Sequence, residues 1–300
     1  MPSAGRYATK MSSVCVIGGE GFLGSYMCRS LIYSGHDVTI FDQEDRSRLE
    51  GVTKFVAGDV RDQDAILEAI SGCDAVYHFA AIADIKECLE QPLLSAEVNI
   101  MGTLQVLEAC RKLNIARFIF ASSVYAQSRE GGFYRCSKLA SEAYVREYHR
   151  RFGLNFTILR YGSLYGPQSG IENGLYQIVL KALTQGRLVY DGAKGTVREY
   201  IHVHDAARAS VDMLKPDFEN KTIVLSGSQS YSMEDVLKMI SEIIGIHEEP
   251  SFTNNEHVGH YVKTPYADIV EPTLKYQPNL QIDFGQGLLD LVKYVRTQNS

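Results

Sequence analysis

The chain has 300 residues, 45% of them hydrophobic and 22% charged, with a formal net charge of -6. That length gives one large domain or two intimate ones with an ample core. The acidic balance, without any run of Lys or Arg, excludes an electrostatic footprint for nucleic acid, and no apolar segment reaches the roughly 20 residues that span a bilayer. Residues 1–10 are polar and lack the apolar centre of a signal peptide, so they read as a short disordered lead on a cytoplasmic protein. Cys15, Cys28, Cys73, Cys88, Cys110 and Cys136 are scattered without a CxxC pair. Buried free thiols in a reducing compartment are expected, with no disulfide and no metal site.

The first elements in chain order carry the strongest signal. Residues 13–17 (SVCVI) form a β-type run, the glycines follow as Gly18-x-x-Gly21-x-x-Gly24, and residues 22–34 repeat with helical period up to Gly35. Residues 36–42 are a second strand. The glycines therefore lie between a strand and a helix inside a βαβ unit, where small residues let backbone approach a pyrophosphate. The N–H groups of the first helical turn, at Phe22 and Leu23, would face its charge. Asp42 ends the second strand, where a carboxylate accepts hydrogen bonds from both ribose hydroxyls of an adenosine and repels a 2′-phosphate. This favours NAD; Arg46 and Arg48 nearby keep NADP open.

The alternation continues through a strand at 53–56, a helix at 62–71 with Asp62 as N-cap, and a strand at 74–79. A long helix over 92–113 opens with Pro92. Strand 117–122, helix 134–152 closed by Gly153, and strand 155–160 complete a regular βα series. Such a series predicts a doubly wound parallel sheet, the Rossmann class of α/β fold. After Gly166-Pro167 the pattern loosens: a loop at 168–174, a helix at 175–183, a strand at 187–190, a strand passing into a helix over 198–214, and a strand at 222–225. Ser232 to Asp235 form a capping box opening a helix to 244, and residues 283–296 make a last amphipathic helix. The expected division is a dinucleotide-binding domain over 1–166, with 198–225 returning to it, and a smaller C-terminal α/β substrate lobe over 167–197 and 226–300.

Tyr134 and Lys138 sit four apart on a helix, so they share a face. A phenol has an unperturbed pKa of about 10, and an ammonium nearby favours its phenolate. With a hydroxyl from Ser122-Ser123 they make an acid–base device for a carbinol or ketone. His202-x-His204 could share a strand face, but no third ligand is near, so metal binding is not expected. Glu87, Glu90 and Glu108 read as solvated carboxylates on a polar helix face.

Several motifs fall in one order: the three glycines, Asp42, Gly58-Asp59-Val60, His78-Phe79-Ala80-Ala81, Asn99, Ser122-Ser123, Tyr134-x-x-x-Lys138 and Arg198-x-Tyr200-Ile201-x-Val203-x-Asp205. Over residues 13–215 the chain resembles the extended short-chain dehydrogenase/reductase family, within it the nucleotide-sugar epimerases and dehydratases. The resemblance implies that Gly18, Gly21, Phe22, Leu23 and Gly24 line the pyrophosphate and Asp42 the adenosine ribose. Asp59 and Val60 would meet the adenine, and Ala80 and Ala81 would lie along the dinucleotide. It implies that Ser123, Tyr134 and Lys138 are catalytic, Lys138 also holding the nicotinamide ribose, and that Asn99 props the active-site helix. Arg198 would grip a nucleotide-sugar diphosphate, with Ser123 and Asn173 also at the substrate. A homodimer through helices 92–113 and 134–152 is implied too.

Three departures bear on the reaction. The segment 124–133 is short, Val124 and Tyr125 follow Ser123 where the family's dehydratases place an acidic residue, and Ser163 stands where an Asn is common. The expected activity is NAD-dependent C4 epimerisation of a nucleotide-diphosphate sugar. The alternatives are an NAD(P)H-dependent keto-sugar reductase, a 4,6-dehydratase in which Glu130 or another loop residue replaces the missing acid, and a non-catalytic dinucleotide sensor.

Overall fold

The computed structural model describes residues 12–46, 49–253, 260, 262 and 273–299; the N-terminal lead and Arg48 lie outside them. Eight strands form one parallel sheet in the order β3-β2-β1-β4-β5-β6-β10-β13. They are β1 (Ser13–Ile17), β2 (Asp37–Asp42), β3 (Val52–Ala57), β4 (Ala75–His78), β5 (Arg117–Ser123), β6 (Phe156–Tyr161), β10 (Lys221–Leu225) and β13 (Leu274–Tyr276). Each adjacent pair runs parallel. Parallel strands need crossovers, and the crossover helices cover both faces. Strand β1 shows the result: Cys15 and Ile17 point into one core, Val14 and Val16 into the other.

Helices α2 (Gln63–Ile70), α5 (Gly102–Lys112) and α6 (Gly132–Phe152) cover the first face, and α1 (Phe22–Tyr33) and α8 (Val203–Asp212) the second. The winding reverses between β1 and β4, the crevice where doubly wound sheets place ligands. A separate core gathers α7 (Gly174–Gln185), α9 (Met233–Ile244) and α10 (Phe284–Gln298). Ser232 and Asp283 cap α9 and α10 through Asp235 N and Gln286 N. A three-stranded sheet, β11-β9-β7, lies between the two parts; β7 is Ser163–Tyr165, β9 Val197–His202 and β11 Ser230–Ser232. A short parallel pair, β12 (Ser251–Phe252) with β8 (Val189–Tyr190), completes the strands.

The structure departs from the sequence reading at several places, including the short strands β7, β11 and β12. The helix expected over 92–113 is α4 (Pro92–Ala96), a π turn over Glu97–Met101, and α5. Gly102 packs so closely on Val60 that a Cβ there would lie 2.7 Å from Val60 Cγ2. The Asn99 side chain is bonded out of the helix, as described below. Single π turns of this kind cluster at functional sites. Helix α3 (Ile85–Glu90), capped by Asp84 accepting from Glu87 N, and the edge strand β13 were both unanticipated. Each is too short to show a hydrophobic period.

Candidate active site

A cleft of about 640 Å³ runs along the carboxyl ends of β1, β2, β4 and β5. At one end lie Gly18 to Gly24, Asp42 and Asp59; at the other lie Ser123, Tyr134 and Lys138.

The glycine loop is built without room for side chains. Gly18 has φ +83°, and a Cβ on it would come within 2.5 Å of Ala80 N. A Cβ on Gly24 would lie 2.0 Å from Gly18 O. Gly21 is different: it is exposed, and a Cβ would meet only Gly18 O, at 3.3 Å. Two glycines thus close the turn and the third keeps bare backbone on the cleft. Gly21 precedes α1, whose first-turn N–H groups at Phe22 and Leu23 have no intrahelical partner. This cradle suits a pyrophosphate. Asp42 Oδ2 accepts from Glu20 N (2.9 Å) and Oδ1 from Gln43 N (2.8 Å). A carboxylate has about four acceptor positions, so two remain for hydroxyls. Asp59 is held by Arg61 through Nε (2.9 Å) and Nη2 (2.6 Å), and this contact keeps its carboxyl below the usual range.

At the inner end, Tyr134 and Ser123 both line the cleft, and Ser123 Oγ accepts from Tyr125 N at 3.3 Å. Ser122 projects elsewhere, donating to Glu142 Oε1 at 2.6 Å, as alternation along a strand requires. Lys138 Nζ donates to Ala121 O at 2.9 Å and lies 5.7 Å from the centre of the Tyr134 ring. Burial pushes Tyr134 up to about 12, with the nearby Ser123 hydroxyl opposing it. Burial also lowers Lys138 to about 8, against Cys88 and Glu142. The expectation that Lys138 depresses the phenol therefore differs from the structure. The ammonium is committed to a backbone carbonyl, and desolvation outweighs the remaining contacts.

The model of the NAD dependent epimerase/dehydratase family matches residues 14–226, more than half of the chain and all of the cleft-forming strands up to β10. The chain belongs to this family. A Methanocaldococcus jannaschii protein provisionally named UDP-glucose 4-epimerase is 28% identical over 95% of this chain and 99% of its own length. A dTDP-glucose 4,6-dehydratase of Mycobacterium tuberculosis is 25% identical over 95% and 93%. The crystal structure of Thermus thermophilus UDP-glucose 4-epimerase in complex with NAD superposes with a TM-score of 0.78. It is 27% identical, with 95% of this chain and 99% of that one covered.

The family's cofactor is NAD, and the glycine cradle with the Asp42 carboxylate fits it. The trio is placed by a set of buried polar contacts. Asn99, in the π turn, accepts from Ile82 N (2.8 Å) and donates to Ile82 O (2.9 Å) and Ser137 Oγ (3.0 Å). It joins the loop after β4 to α6, one residue before Lys138. His78 meets Thr103 Oγ1 at 3.1 Å, and Thr103 donates to Asn99 O. Burial, reinforced by Lys138, lowers the His78 imidazole to about 3, so it is neutral. On the next turn of α6, Glu142 is fully buried and receives Arg160 Nη2 (2.7 Å), Arg146 Nη2 (3.1 Å) and Ser122.

Other residues singled out in the sequence stand away from the cleft. Arg198 Nη1 donates to Val197 O (3.0 Å) and Val262 O (3.3 Å) and does not line it. Asn173 caps α7, accepting from Leu175 N and Tyr176 N and donating to Leu164 O. Glu130 is exposed and off the cleft, whereas Glu87 lines it. Sequence reasoning missed the Glu20 amide and Leu164, which reach the cleft or Asp42 through tertiary folding alone. It also missed His260, whose Nδ1 meets Tyr125 Oη at 2.8 Å while the Tyr125 ring stands edge-on to Tyr134, centroids 6.3 Å apart. The short 124–133 segment makes this possible. Gly131 (φ +103°) folds back so tightly that a Cβ there would lie 2.8 Å from Tyr125 Cδ1.

Proposed function

We propose that the chain interconverts two nucleotide-diphosphate sugars by inverting C4 through a transient 4-keto sugar. The observation that carries this reading is the convergence of Tyr134, Ser123 and Lys138 at the inner end of a dinucleotide cleft. Tyr134 removes the proton of the C4 hydroxyl and later gives it back. Ser123 shares the hydrogen bond to that hydroxyl and fixes its direction, and Lys138, 5.7 Å from the centre of the Tyr134 ring, is placed to hold the nicotinamide ribose. When bound, NAD takes up the C4 hydride and returns it to the opposite face of the ketone. Hydride and proton both come back to the same sugar, so no external reductant is consumed.

Asp42, held by the Glu20 amide, supports NAD over NADP, and Arg46 is paired with Glu44 at 3.2 Å. On the substrate side we assign Arg198 to the diphosphate on charge and on its place in β9. Asn173 is assigned to hold α7. The relatives named for UDP-glucose epimerisation support C4 as the carbon. Elimination of water is disfavoured because Val124 is buried and apolar and Glu130 is exposed and does not line the cleft. Residues 167–197 and 226–300 are proposed to hold the nucleotide sugar. Exposed Leu93, Met101, Phe133, Tyr144 and Phe152, on or beside α4–α6, support a homodimer through those helices. The cysteines are unbridged, which agrees with a reducing, cytoplasmic setting. Among the described residues no helix is long and apolar enough to cross a membrane, and no three His, Cys, Asp or Glu cluster for a metal.

The reading is tested by incubating the protein with UDP- and GDP-sugars and no added reductant, following C4 by NMR. A mixture of C4 epimers is expected. Steady NAD(P)H consumption on a keto sugar, with no inversion, would replace this reading by reduction.

A further inference from the structure

A second cleft, of about 730 Å³, opens on the α1/α8 side of the sheet, where those helices meet residues 276–281. Arg29 of α1 and His204 and Arg208 of α8 line it. His204 and Arg208 are four apart and share a helix face. Arg29 Nη1 reaches only a neutral acceptor, Gln168 Oε1 at 3.4 Å, and its guanidinium lies 5.4 Å over the Tyr26 ring. Arg208 has an ionic contact to Asp205 at 3.7 Å, beyond hydrogen-bond reach. That carboxylate already accepts from Gln281 N (3.1 Å) and Ile282 N (3.0 Å). Among the described residues, neither the Arg208 guanidinium nor the His204 ring makes a hydrogen bond. Asp212, the carboxylate on the cleft wall, is paired with Lys215 at 2.5 Å and accepts from Tyr276 Oη at 3.2 Å. The wall thus presents two guanidinium groups and an imidazole whose one ionic contact is the 3.7 Å approach of Arg208 to Asp205, a carboxylate already hydrogen-bonded to backbone. Donors held this way at a half-buried site are stabilised by an oxyanion, and planar guanidinium forks suit the bidentate geometry of phosphate.

We propose that this cleft is a second binding site, distinct from the dinucleotide cleft, for a phosphate group held by Arg208 and Arg29 with His204 beside it. The rings of Tyr26, Tyr33 and Tyr276 on its walls give an organic substituent a surface to stack on. The same wall is tied to the chain leading into α7: Tyr26 Oη donates to Pro167 O at 3.3 Å, next to the Arg29–Gln168 contact. A ligand here would therefore grip α1, which begins at the glycine cradle, together with that connection.

The test uses the full chain saturated with NAD, so that the glycine cradle is filled. Inorganic phosphate and adenosine monophosphate are titrated in parallel while the His204 ring is followed by NMR, its signal assigned with His204→Gln. A saturable shift is expected from both. Arg208→Gln should weaken it at least about tenfold, with NAD affinity and the circular dichroism spectrum unchanged. Arg29→Gln, on the other helix, should weaken it independently. Tighter binding of the nucleotide identifies the tyrosines as a base-stacking wall, and equal binding identifies phosphate alone as the ligand. No saturable shift from either probe, or shifts that both variants leave intact, overturns the proposal.

Discussion

Tyr134→Phe should lower turnover by about 10²–10⁴-fold, the range supplied by a positioned general acid–base group, and leave the fold intact. The substitution removes one oxygen. The ring keeps its edge-on packing against Tyr125 and its place under Lys138. The lost atom is the phenol oxygen, and burial raises its pKa to about 12. A phenol so strongly desolvated stays protonated at rest and ionises only when a partner shares its proton. Ser123 is placed to do so. The variant should bind NAD with affinity close to that of the parent, because the cradle at Gly18 to Gly24 is at the other end of the cleft. Initial rates of C4 inversion and a thermal melt decide the matter. A Phe variant within tenfold of the parent's rate would remove Tyr134 from the chemistry.

The largest stability effect is expected at Arg160. Its guanidinium holds the fully buried Glu142 through Nε (2.8 Å) and Nη2 (2.7 Å). Arg160→Met would leave that carboxylate with Arg146 and Ser122 only. Breaking one side of a buried pair costs about 3–5 kcal/mol, because the remaining charge is uncompensated. For a chain of this size, that lowers Tm by on the order of 10 °C. Replacing both Glu142 and Arg160 by Met should recover much of the loss, since the charge then disappears with its partner. The pH dependence has a definite sign. Burial raises the Glu142 carboxyl, but Arg160, Ser122 and Arg146 together hold it below its ordinary value of 4.5. Its contribution is therefore present above pH 4.5 and fades as the pH falls through the lower folded value. In Arg160→Met the burial effect is less opposed, and Glu142 takes up a proton at higher pH. The stability gap between parent and variant, followed by denaturant titration, should narrow on acidification.

The parts of the site legible in the sequence are those fixed by short spacing. Gly18, Gly21 and Gly24 are readable because a strand-to-helix turn and a close backbone approach leave no room for Cβ. Tyr134 and Lys138 are readable because helical geometry puts them on one face. Asp42 is readable as the end of an apolar strand. What escaped depends on contacts between distant segments. The π turn at Asn99 comes from bonds to Ile82 and Ser137 that helical periodicity cannot register. The Tyr125–His260 contact spans 135 positions. Strand β13 joins β10 with three residues that carry no alternating pattern. Asn173 is a substrate contact by resemblance, yet the physics of a helix start gives it a nearer task as the cap of α7. The pKa argument for Lys138 and Tyr134 failed for a related reason. Spacing reports that two groups share a face, but it says nothing of the Ala121 carbonyl that takes the ammonium or of the burial that acts on both.

The central claim is that the C4 hydrogen leaves and returns within one active-site visit. It is tested most directly with UDP-glucose carrying deuterium at C4, in ordinary water and without added reductant. The account predicts that the C4 epimer forms with the deuterium still on C4. Deuterium lost to solvent, or product that appears only when NADH is supplied, would contradict it.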